Sequence, residues 1–144
     1  MKKSLIVYAV IFLIVTLIFV VPIIGGYFIL NDFSPKADPI NCPAAENIQS
    51  VSLSGNDEHT VLLNETDYEE LLHNISNSLP TRNMPMNDYP AVRQYYTITI
   101  QTSVREYRYF VYEEDSQIYI ELPYKGIYRS DNKMLDFVLE HYLE

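Results

Sequence analysis

From Leu5 to Val21 the chain is apolar, with only Tyr8 and Thr16 offering polar atoms, and no charged residue follows Lys3 until Asp32. Extended by Ile23, Ile24 and Phe28 to Leu30, the segment exceeds the roughly 20 residues a helix needs to cross about 30 Å of hydrocarbon. Residues 1–30 are therefore expected to form a transmembrane helix. Signal peptides carry shorter apolar regions, about 7–15 residues long, that end at a small-x-small site. Here the Gly25-Gly26 pair lies inside continuing apolar sequence, which points to a retained signal-anchor. Lys2 and Lys3 precede the span and acidic sequence follows it, so the positive-inside tendency places the N-terminus in the cytoplasm and the C-terminal domain outside the cell membrane, in a single pass. Pro22 and the two glycines loosen the outer end of that helix.

The formal charge of −9 becomes −11 outside once the two N-terminal lysines are set aside, with 8 basic against 19 acidic residues. Such a balance excludes nucleic acid as a partner, because phosphate-tracking proteins rely on basic clusters. It also opposes lying flat on an anionic bilayer. Between residues 37 and 81 there are eight acids and no Lys or Arg; this is a solvated face or a docking surface for a cationic peptide. Cys42 is alone, so no internal disulfide can form.

Residues 31–46 hold three prolines and no periodicity and are expected to be a stalk. The folded domain then occupies residues 47–144. Two short strands, 48–54 and 59–63, are joined by Gly55-Asn56-Asp57, a turn-forming cluster. Thr66 and Glu69 have capping-box spacing. Tyr68, Leu71, Leu72, Ile75 and Leu79 follow at helical spacing, and Pro80 ends that helix near Ser78. Residues 80–93 contain three more prolines and form a long loop, of a length that is often functional.

Three strands come next, at 95–102, 106–113 and 117–122. A tight turn at Glu114-Asp115 pairs Val111 with Ile118, and one at Val104-Arg105 pairs Ile100 with Tyr109. One face then collects Ile98, Ile100, Tyr107, Tyr109, Val111, Ile118, Ile120 and Leu122, the core face. The other collects Thr97, Thr99, Arg108, Phe110, Tyr112, Tyr119 and Glu121, with Arg108 across from Glu121. Ser130-Asp131 caps a last helix with Leu135, Val138, Leu139 and Tyr142 on one side. The fold expected is α+β, a small antiparallel sheet with two helices in the order β-β-α-β-β-β-α. In "YIELPYKGIYR", Pro123 stops the last strand, Gly126 supplies a positive φ, and Ile127 and Tyr128 pack between sheet and helix.

The single N-terminal span, "TDYEELLHNI", "TRNMPMNDYP" and "IYIELPYKGIYR" together resemble an uncharacterised group of small extracytoplasmic domains from Gram-positive bacteria, domain of unknown function 5301. The resemblance covers residues 47–143, is most specific over 118–128 and departs at Leu122, where glutamine is expected. It implies a tethered or secreted domain, and it implies no activity and no catalytic residue.

The residues themselves show no reaction motif. His59, His73 and His141 are scattered, and Glu69 with His73 gives only two ligands, so no metal is expected. Asn56-Asp57-Glu58 lacks the spacing of a calcium loop. No Gly-x-Ser-x-Gly elbow, Ser-x-x-Lys pair or glycine-rich phosphate loop is present. No cofactor is implied. Eleven of the 13 tyrosines lie in the outer domain; most suit half-buried strands. Phe110, Tyr112 and Tyr119, with Arg108 and Glu121, share a second face, which is either an aromatic surface of the kind protein interfaces use or one covered by the 48–63 hairpin or the 80–93 loop. Sequence thus points to a membrane-tethered binding, sensing or immunity-type accessory domain that engages an envelope protein or a cationic peptide. The alternative is an enzyme subunit or inhibitor-like domain acting on cell-wall components, with Arg82, Asp88 and Arg93 as a loop site.

Overall fold

The computed structural model describes residues 8, 12–16, 18–22, 26, 35–57 and 59–143. It divides into two compact units, Met1–Pro35 and Lys36–Glu144.

In the first unit the described residues up to 26 are helical. Phe12, Leu13, Ile18 and Phe19 are exposed, and Thr16 Oγ1 donates to the Phe12 carbonyl at 2.8 Å, turning its hydroxyl back onto the backbone. Among the described residues no helix is long and apolar enough to cross a membrane. The expected span and the Gly25 end of its cleavage candidate fall partly outside those residues, as do stalk residues 31–34 and Glu58.

The second unit is one antiparallel sheet with two helices on one face. Its strands are β1 (Ile48–Ser54), β2 (Thr60–Leu62), β3 (Leu79–Pro80), β4 (Tyr96–Thr102), β5 (Glu106–Glu114), β6 (Gln117–Leu122) and β7 (Gly126–Ser130); its helices are α1 (Tyr68–Ser76) and α2 (Asn132–Leu143). The order across the sheet is β2-β1-β4-β5-β6-β7-β3. The α+β architecture expected from sequence is present, enlarged by two strands. β7 takes in the segment read as packing between sheet and helix, and β3 takes Leu79, which had been placed on the helix and is instead exposed.

Both expected registers are displaced by two residues. Val111 faces Ile120, and Ile98 faces Tyr109. The β5–β6 turn falls at Asp115 and Ser116, both left-handed at φ 51° and 59°. An even displacement leaves every side chain on its expected face. Val51, Leu53, Ile98, Ile100, Tyr109, Val111, Ile118 and Ile120 therefore form the helix-side core with Leu71, Ile75, Met134, Phe137 and Val138.

Local details differ from expectation for identifiable reasons. The capping box does not form: residues Glu65–Asp67 make a 3-10 turn, Thr66 Oγ1 donates to Asp67 Oδ1, and α1 starts without a side-chain cap bond. On α2 the buried side chains are Met134, Phe137, Val138 and Tyr142, with Leu135 and Leu139 only half-buried. Several residues of the expected stalk pack on the domain instead. Ala37 is buried and its amide bonds the Thr81 carbonyl, Ile40 and Cys42 pack on the core, and Tyr128 Oη donates to the Asp38 carbonyl at 2.7 Å. Gly126 is needed for that contact and has no positive φ: a Cβ there would overlap Ala37 Cβ and approach the Tyr128 ring at 3.1 Å. The left-handed residue in this turn is Tyr124, at φ 58°.

Candidate functional site

The sheet order forces a crossover. β3 lies beyond β7 at one edge while β4 lies between β1 and β5, so the chain must pass over β7, β6 and β5 to connect them. It does so on the face away from the helices, as residues 81–95. Thr81 N donates to the Ile127 carbonyl and Ile127 N to the Asn83 carbonyl, which pins the start of this strap to β7. Thr81 Oγ1 adds a 2.6 Å bond to the same Ile127 carbonyl. At the other end, Asn56 bridges the strap with both amide atoms, donating to the Arg93 carbonyl and accepting from Tyr95 N. Pro85 and Pro90 of the strap are buried.

This strap covers the aromatic face. The Tyr89 and Tyr95 rings lie 5.7 and 5.4 Å from Phe110, the latter edge-on, within the range in which aromatic pairs attract. Phe110 is 0% exposed, and Tyr112 and Glu121 are each 4% exposed. Of the two readings of this face, an open interface or a face covered by the hairpin or the long loop, the structure shows the covered one, and the face is a second, smaller core. Tyr119 remains half-buried, its ring 5.7 Å from that of Tyr112. Arg108 does not face Glu121: the register sets it opposite Thr99, and its Nη2 pairs with Glu106 Oε1 at 2.7 Å in solvent. Glu121 sits opposite Phe110 and accepts from Tyr112 Oη. Burial pushes the Glu121 carboxyl above the usual range, opposed by the Tyr112 bond, and burial likewise raises the Tyr112 phenol.

Asp88 and Arg93, the loop residues read as a site with Arg82, are engaged in different places. Asp88 Oδ1 accepts from Tyr124 Oη at 2.7 Å, whereas Arg93 lines a groove with Asn56, Asp57, Tyr95 and Tyr142. In that groove Tyr142 Oη donates to Asp57 Oδ1, holding the Asp57 carboxyl below its ordinary range. Among the described residues no three His, Cys, Asp or Glu side chains gather as a metal would require. Cys42 is a free thiol pushed up by burial.

The outward side of the strap carries what the sequence reading missed. Met84, Met86 and Tyr89 are 54%, 83% and 56% exposed, and Tyr124, bound to Asp88, is 61% exposed. The available signal was composition: two methionines, a tyrosine and prolines make this loop more apolar than solvation alone requires. Exposed apolar groups that cluster mark interaction sites more often than isolated ones do.

A family model for DUF5301, described as "Domain of unknown function (DUF5300)", matches residues 36–129. That match begins where the second compact unit begins, at Lys36. A solved structure described as "NMR structure of the protein from Ruminococcus gnavus" is similar, at 31% identity and a TM-score of 0.55, over 62% of this chain and 89% of that one. No curated protein matches this chain.

Proposed function

The chain belongs to the DUF5301 family, whose description assigns no activity, and we propose that its outer domain is a membrane-tethered, non-catalytic module that binds a protein partner through the outer side of the strap. The observation that carries this reading is the exposure of Met84, Met86 and Tyr89 on a segment fixed at both ends by hydrogen bonds to the sheet and to Asn56, beside exposed Tyr124 of the β6–β7 turn, which is bound to Asp88. An apolar surface held in place loses little conformational freedom when it docks. Methionine adapts to irregular partners, and tyrosine supplies large rigid contact area.

The partner is an envelope protein or peptide segment with basic residues around its apolar contact. Supporting this are the net charge of −9 and the acid-rich stretch before the strap, which would steer a cationic partner and repel an acidic one. Supporting the tether are the Leu5–Val21 run and the lysines before it, an arrangement that the positive-inside tendency associates with an outward-facing domain.

The test is capture from intact membranes by the full chain and by a Met84→Ser/Met86→Ser variant. Both side chains point to solvent, so the variant keeps its fold. Loss of a partner that the parent retains supports the reading, and equal capture removes it.

A further inference from the structure

A basic pocket lies at one end of the sheet, away from the strap's outer surface in chemistry and independent of the function proposed above. β6 ends at Leu122 while β5 starts at Glu106, and their pairing begins only at Phe110 and Glu121. Glu106–Tyr109 therefore have β4 on one side and no strand on the other. The gap is a pocket of about 170 Å³ that gathers Arg105, Arg108 and Lys125. These are three of only eight basic residues beyond the N-terminal pair. The one acid in its wall, Glu106, is already occupied by Arg108.

Two turns hold the cations in place. Thr102 Oγ1 donates to the Arg105 carbonyl at 2.8 Å and accepts from the amides of Val104 and Arg105 at 3.3 and 3.1 Å. This locks the β4–β5 turn. The Arg105 guanidinium then lies 4.2 Å above the Tyr107 ring. Stacking occupies the face of the guanidinium and leaves its in-plane N–H groups to hold an oxyanion. On the other side, left-handed Tyr124 and the bond from Lys125 N to the Leu122 carbonyl turn the chain so that Lys125 reaches the same pocket. Among the described residues neither Arg105 nor Lys125 makes an ion pair. Tyr109, in the inner wall, is 1% exposed, and among the described residues its hydroxyl finds no hydrogen-bond partner. The Cys42 thiol beside it is at most a weak acceptor.

We propose that this pocket binds an oxyanion, a phosphate or carboxylate group, held by the Arg105 fork with Lys125 as the second cation. Its size suits one such group and not a drug-sized ligand, whose sites run to roughly 300–1,000 Å³.

The test is an amide chemical-shift titration of the full chain in neutral-detergent micelles, with inorganic phosphate in one arm and acetate in the other, at constant ionic strength set by chloride. Saturable shifts confined to Arg105–Tyr109 and Lys125 support the site, and the arm that saturates identifies the source as a phosphate or a carboxylate. Arg105→Gln should weaken binding about tenfold, roughly 1.4 kcal/mol, and Arg105→Lys, which keeps the charge and loses the fork, should fall between. Unchanged ring signals of Phe110 and Tyr128, both buried and outside the pocket, would exclude a folding effect in the variants. Shifts that do not saturate in either arm, or that persist undiminished in Arg105→Gln, overturn the proposal.

Discussion

Tyr112 Oη donates a 3.1 Å hydrogen bond to Glu121 Oε2 across β5 and β6, although neither residue is the other's direct partner: Tyr112 faces Tyr119, and Glu121 faces Phe110. The bond is diagonal and lies under the strap. It explains how a carboxylate is accommodated in an otherwise apolar layer, because a buried polar group is tolerated when it is hydrogen-bonded. Glu121→Ala leaves the Tyr112 hydroxyl without that acceptor and should cost about 1–3 kcal/mol in denaturant unfolding.

The same pair sets a pH dependence. Burial holds the Glu121 carboxyl above its ordinary value, so the native state binds this proton more readily than the unfolded chain does. Its contribution to stability is then present at pH below the unfolded value, about 4.3, and is lost as pH rises through the raised folded value. Unfolding midpoints of Glu121→Gln, compared with the parent across that interval, should lack this decline. A parallel decline in both proteins would assign it to another group.

Phe110 anchors the strap from below, between Tyr89 and Tyr95. Phe110→Ala should destabilise the domain by about 3–5 kcal/mol, the range for emptying a buried aromatic site. It should also release the strap, read as faster protease cleavage within residues 84–89.

Gly126 and Ala37 touch where the N-terminal segment packs on the core. Gly126→Ala alone should cost about 1–3 kcal/mol by overpacking. Paired with Ala37→Gly it should recover much of that loss, and the double-mutant cycle measures the coupling directly.

Asp115 and Ser116 occupy left-handed geometry without glycine. Asp115→Asn with Ser116→Gly installs the residue pair this two-residue hairpin turn prefers and should raise stability by about 1 kcal/mol, read as a higher thermal midpoint.

How much of this was legible in the sequence depended on whether the determining interaction was local. Alternation placed Ile98, Tyr109, Val111 and Ile120 on the core face correctly, because both turns moved the register by two and parity survived. Phe110, Tyr112 and Glu121 were likewise placed together on the second face. Coverage of that face by the 80–93 loop was one of two readings the sequence left open; β3 lying outside β7 decides between them, and a two-residue strand carries no periodicity. The same holds for Gly126: a turn role is a local inference, whereas its contact with Ala37 spans 89 positions of chain. The expected Arg108–Glu121 pair failed by the same two-residue displacement that left the faces intact.

The most direct test of the binding surface is a photo-crosslinking residue placed at Met86 in the full chain, in intact membranes, with the same residue at Leu62 as the control. Both positions are highly exposed, and they lie towards opposite edges of the sheet, on the strap that follows β3 and on β2. The account predicts a discrete protein adduct from Met86 that weakens when Tyr124→Ser is added, and none from Leu62. Equal adducts from both positions, or an adduct from Leu62 alone, would contradict it.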